Sequence, residues 1–168
     1  MAHKPLPFDP VLEARGHWER SGWTAAAPGM AAVTSIMRAQ QILLARIEEV
    51  LRPHGLSFAR YEVLMLLSFA RAGALPLSRL GERLQVHPAS VTNLVDRLAA
   101  AGLVQRVPHP RDRRATLAEV TPAGRALAQA ASADLNATVF AAPGLDPDGV
   151  SALVDLLTDL RRDAGDFA

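Results

Sequence analysis

The chain has 168 residues, nearly half of them apolar, which is enough for one ordinary domain with a buried core and helical extensions. It has no cysteine, excluding disulfides, thiol catalysis and thiolate metal sites. No stretch approaches the ~18 apolar residues of a membrane span, and the first 25 residues carry no apolar signal segment, so a cytoplasmic protein is expected.

The net charge of +1 hides an asymmetry: residues 71–125 hold nine arginines against four acids, and residues 126–168 hold two arginines against seven. A polyanion-facing surface in the middle of the chain follows, with the acidic tail held away from it. Seventeen arginines against one lysine is a composition bias. Position must therefore carry the functional argument.

Residues 1–28 form an N-terminal arm with four prolines and a short helix expected over Val11–Arg20. Trp18 and Trp23 are costly to leave in water, so the arm is expected to dock, for instance on a partner subunit. Residues 29–52 read as a long amphipathic helix carrying Met30, Val33, Ile36, Met37, Leu43, Leu44, Ile47, Val50 and Leu51. Pro53-His54-Gly55 stops it. Ser57 caps a second helix, with Tyr61, Val63, Leu64, Leu66, Leu67 and Phe69 so nearly continuous that it belongs at the centre of the core.

Gly73–Pro76 reads as a connector, and Ser78 as the cap of a short helix to Gln85. After the turn Gln85-Val86-His87, His87 caps a helix that opens on Pro88 and ends at Gly102. Two apolar-polar runs, Leu103–Val107 and Ala115–Val120, flank Pro108-His109-Pro110-Arg111-Asp112-Arg113-Arg114 and predict a β-hairpin with an arginine-rich tip. Thr121-Pro122 starts a helix to about Phe140, and Asp146-Pro147 starts a last one with Val150, Leu153, Val154, Leu156, Leu157 and Leu160 on its apolar side.

Two helices joined by a three-residue turn are a helix-turn-helix, and the second is the one that enters a major groove. Val91, Leu94, Val95 and Leu98 fall at core spacing. That leaves Pro88, Ala89, Ser90, Thr92, Asn93, Asp96 and Arg97 outside, a surface whose N-terminal half is small and hydrogen-bonding. Ser90, Thr92 and Asn93 suit base edges, and Arg97 a phosphate. In the hairpin, Arg106, His109, Arg111, Arg113 and Arg114 suit phosphates or a minor groove, where arginine is attracted by the negative potential.

From Leu77 to Gly124 the chain resembles the MarR family of bacterial transcriptional regulators. The residues that carry the likeness are Leu77–Leu84, Pro88–Leu98, Gly102-Leu103-Val104, Pro110–Arg114 and Thr121-Pro122-Ala123-Gly124. The resemblance implies a mainly α fold with a small β-hairpin wing, in which residues 57–121 form a winged helix-turn-helix lobe. It implies a helical dimerisation lobe from residues 29–56 and 122–168. It further implies a homodimer on pseudo-palindromic double-stranded DNA and a crevice for a small-molecule effector. The family's Asp-x-Arg wing signature maps onto Asp112, which would orient the wing, and Arg114, which would probe the minor groove. His109 stands where many members carry an acid.

The competing reading is a winged-helix module for protein contact or dimerisation without DNA binding. Such a module has no need of three arginines at its wing tip. The five histidines show no paired ligand spacing, His54 being the one to watch, and no nucleophile elbow or phosphate loop is present. No cofactor, metal, enzymatic activity or membrane partner is expected.

Overall fold

A computed structural model describes residues 5–109 and 116–167. The chain divides into two compact units, Met1–Arg46 and Ile47–Ala168.

In the first unit, α1 (Pro10–Arg20) opens where the Asp9 carboxylate accepts from the Val11 and Leu12 amides and a proline occupies the first turn. Trp18 and Trp23 pack edge to face, ring centroids 5.2 Å apart. Trp23 nevertheless stays exposed, as do Val33, Ile36 and Met37 on α2 (Ala27–Leu51). The helix α2 passes from the first unit into the second and closes in a 3₁₀ turn, Arg52–His54, with Gly55 left-handed behind it.

In the second unit, Ser57 caps α3 (Phe58–Phe69) by accepting from the Arg60 amide. Val63, Leu64 and Leu67 are wholly buried and pack with Leu51, Leu80, Val91, Val95, Leu98 and Leu135. Phe69 departs from the expected core position: it lies past the last buried turn of α3 and is 78% exposed.

Residues Ala74–Pro76, expected as a connector, form a strand, β1. It pairs antiparallel with β3 (Thr116–Val120), which pairs in turn with β2 (Val104–Pro108), so the sheet order is β1-β3-β2. The third strand has a physical reason, because an isolated two-stranded hairpin is marginal in water. Pro76 is tolerated because β1 is an edge strand, where a missing donor costs little.

The strand runs directly into α4 (Leu77–Leu84), which has Pro76 rather than Ser78 at its cap and no side-chain capping bond. The register pairs Pro76 with Leu117, and this strand pairing fixes where the helix begins. Next comes α5 (Pro88–Ala100), ended by Gly102 at φ 71°.

Thr121 ties the hairpin base together. Its amide donates to the Leu103 carbonyl, its hydroxyl donates to the Gly102 carbonyl at 2.8 Å, and the same oxygen accepts from the Gly124 amide at 3.0 Å. This caps α6 (Pro122–Leu135). Gly124 is buried so close to the Leu103 carbonyl oxygen that a Cβ would overlap it. The expected regular helix to Phe140 becomes a π turn at Asn136–Phe140. Last, α7 (Pro147–Asp163) is capped by Asp146 and buries no residue; Leu153, Val154, Leu156 and Leu160 are exposed.

Candidate nucleic-acid interface

The turn between α4 and α5 is built by Gln85, the one non-glycine among the described residues with positive φ (54°), which closes α4 in a left-handed cap. His87 then starts α5: its Nδ1 accepts from the Ala89 amide at 3.2 Å, and Pro88 sits in the first turn where no donor is needed. Val91, Val95 and Leu98 are buried and Leu94 is half-buried, which fixes the rotation of α5. Pro88, Ala89, Ser90, Thr92, Asn93 and Arg97 therefore share its exposed face.

Among the described residues, the side chains of Ser90, Asn93 and Arg97 make no hydrogen bond. The Thr92 hydroxyl donates to the Pro88 carbonyl at 3.2 Å, leaving its oxygen as an acceptor only. The N-terminal half of this face carries donors and acceptors without a bulky group, as groove readout requires.

Arg106 is placed differently from the free phosphate contact expected from sequence. It lies on β2 with its guanidinium turned onto α5, where Nε and Nη2 donate to Asp96 Oδ1 at 3.1 and 2.7 Å. The pair fastens the root of the hairpin to α5. On the same strand Gln105 Nε2 donates to Glu119 Oε2 across the sheet at 2.7 Å. His109 follows β2 directly and is half-buried. Arg111, Asp112, Arg113 and Arg114 lie outside the described residues.

Sequence reasoning missed Asp96, which counted only as an outward residue. Its partner is ten positions away on a strand, and only the packing of β2 against α5 brings the two together. The resemblance implied a crevice without naming its residues; one of about 490 Å³ lies between α3, α4 and the end of α6, lined by Phe58, Glu62, Met65, Phe69, Arg83 and Phe140 among others. Burial pushes the Glu62 carboxyl above the ordinary glutamate range. Away from both features, His54 Nε2 contacts Asp134 Oδ2 at 2.8 Å.

A capped helix pair, an antiparallel hairpin beside it and a third short strand completing the sheet define a winged helix-turn-helix protein. A family model described as MarR family matches residues 56–116. The chain is similar to Sco5413, a MarR family transcriptional regulator from Streptomyces coelicolor: 51% identity, TM-score 0.77, covering 83% of this chain and 97% of that one. It is also similar to a mutant MarR from Escherichia coli complexed with operator DNA, at 26% identity and TM-score 0.69, covering 76% of this chain and 91% of that one. Among curated relatives, the transcriptional repressor YetL of Bacillus subtilis is 36% identical over 80 residues, 48% of each chain. The chain spans about half the length of the curated relatives it matches. The chain belongs to the MarR family.

Proposed function

We propose that the protein is a sequence-specific DNA-binding transcriptional repressor. It acts as a homodimer on a pseudo-palindromic operator in the cytoplasm and is relieved by a small molecule. The observation that carries this reading is the exposed face of α5: a core-locked, His87-capped helix presenting Ser90, Thr92, Asn93 and Arg97 beside an arginine-rich hairpin. The similar E. coli protein complexed with operator DNA and the similar B. subtilis repressor support it.

In the complex, Ser90 and Asn93 would meet base edges in the major groove and Arg97 a phosphate. The wing would set Arg114 in the minor groove, with Asp112 aiming it. Two such helices must meet grooves ~34 Å apart, which requires a dimer. The exposed apolar residues of α7, and separately those of α2, supply surfaces that a second copy would cover. Dimerisation would then draw on residues 29–56 and 122–168, with 57–121 as the DNA-binding region.

Among the described residues no helix is long and apolar enough to cross a membrane. Selection of bound sequences from a random pool tests the reading. Recovery of a dyad-symmetric site with half-sites one helical turn apart is expected; a pool that enriches nothing overturns it.

A further inference from the structure

We propose that Thr92 reads a thymine in each operator half-site through its γ-methyl group, on an apolar strip that it forms with Val86, Pro88 and Ala89. The inference deepens the DNA-binding reading above and rests on it.

The exposed face of α5 divides lengthwise. Ser90, Asn93 and Arg97 stand at i, i+3 and i+7 and make one stripe, whose side chains form no hydrogen bond among the described residues. Pro88 and Thr92, at i and i+4, make a second stripe on the side of α4, with Ala89 between the two. Val86, in the turn, lines the same hollow as Pro88 and Thr92 and is 38% exposed. The first stripe offers donors and acceptors; the second offers carbon.

Thr92 belongs to the second stripe because of where its hydroxyl goes. The hydroxyl donates to the Pro88 carbonyl, one turn back, at 3.2 Å. The side chain has one oxygen and one methyl on Cβ, so folding the oxygen onto its own helix leaves the methyl outside. Neighbouring polar groups of α4 are engaged as well. Arg79 donates to the Glu82 carboxylate at 3.1 Å, and Gln85 Nε2 donates to the Glu82 carbonyl at 3.3 Å.

A polar base edge laid on this strip would lose water without gaining a partner. The major groove presents one apolar feature among the four base pairs, the thymine 5-methyl group. The strip selects thymine by burying that methyl, while the stripe through Asn93 reads polar edges beside it.

The test uses the full chain and the operator recovered by selection from a random pool. Each thymine is replaced, in both half-sites at once, by deoxyuridine, which pairs identically and lacks only the methyl. One such symmetric replacement is expected to weaken binding roughly tenfold in fluorescence-anisotropy titrations, or roughly threefold for each methyl buried. Thr92→Val keeps a branched, methyl-bearing side chain without the hydroxyl and should retain the discrimination against uracil at that position. Thr92→Ser keeps the hydroxyl and its bond to Pro88 without the methyl, and should bind the two duplexes within about twofold of each other. Both changes fall at an exposed position and leave the buried face of α5 intact.

An operator with no thymine in its half-sites, the absence of any uracil-sensitive thymine, or discrimination that survives Thr92→Ser overturns the proposal. Discrimination lost in Thr92→Val also overturns it, by assigning the contact to the hydroxyl. The two failures are distinguishable. A pool that enriches nothing overturns the repressor reading and this proposal with it, whereas a dyad-symmetric operator without a uracil effect overturns this proposal alone.

Discussion

Arg106 distinguishes a wing that is merely basic from one whose root is fastened to the recognition helix. Its guanidinium reaches Asp96 through two nitrogens, but Asp96 is 59% exposed and Arg106 34% exposed, so the pair is worth only about 0.5 kcal/mol, within the ~0.2–1 kcal/mol of exposed pairs. Single substitutions would obscure it, because Asp96→Ala also gains roughly 0.5 kcal/mol of helix propensity within α5. The coupling energy from a double-mutant cycle, Asp96→Ala with Arg106→Ala, is the informative quantity and should come out near 0.5 kcal/mol by urea denaturation.

The larger consequence lies in the salt dependence of operator binding. If Arg97, Arg106, Arg111 and Arg113 each neutralised one phosphate per subunit, the log–log slope for a dimer would be roughly −7; with Arg106 committed to Asp96 it falls to roughly −5. Arg106→Ala should then leave the slope unchanged, while Asp96→Ala, by releasing Arg106, should steepen it by about 2. Operator titrations from 50 to 250 mM salt, about the range over which such slopes are read, decide the matter. A flatter slope in Arg106→Ala, by about 2, would show that the arginine leaves Asp96 for a phosphate in the complex. A coupling energy of zero would remove the bridge altogether.

Gly124→Ala should destabilise by roughly 2–3 kcal/mol in urea denaturation, because its Cβ would overlap the Leu103 carbonyl oxygen and press Val120. His87→Ala should cost about 1 kcal/mol through loss of the Ala89 amide's acceptor, and His87→Asn should restore most of it. Glu62 gives a pH signature. Its carboxyl pKa is raised by burial, so the cost of ionising it in the native state is present above that raised value and disappears as pH falls below it. Thermal melts should show Glu62→Gln more stable than the parent at neutral pH, with the difference vanishing on acidification; a difference independent of pH would contradict the burial argument. Arg114→Ala should weaken operator binding by about 1–3 kcal/mol in mobility shifts.

What was legible in the sequence is what short-range chemistry decides. Ser57, His87, Thr121 and Asp146 each cap a helix by bonding an amide two or three residues ahead, so each start could be read in place. The rotation of α5 was equally local, since Val91, Val95 and Leu98 can share only one face.

What was not legible is what distant residues impose. Ala74-Leu75-Pro76 has no strand composition of its own; it becomes a strand because β3, more than forty residues on, offers an unpaired edge. That pairing displaces the start of α4 from Ser78, whose composition fits a cap well but whose backbone is already helical. Phe69 was counted as core because it closes a nearly continuous apolar run, yet α3 turns its last residue outward at the crevice.

The same division runs through the interface. The residues that would touch DNA are visible in sequence because a helix with one buried face must expose the other. The residues that hold those elements in mutual register are not. Asp96 with Arg106, and Thr121 with Gly102 and Leu103, act between elements, and nothing in their local spacing marks them. A substitution that damages register without touching the exposed face of α5 should therefore lower affinity for operator and for unrelated DNA unequally. Register places base contacts, whereas phosphate contacts tolerate displacement. Thr121→Val keeps the side-chain shape and deletes the hydroxyl that joins the hairpin base to α6. It should lose more affinity for the selected operator than for random duplex in parallel titrations at one salt concentration, and equal losses on both would place Thr121 outside the register of the site.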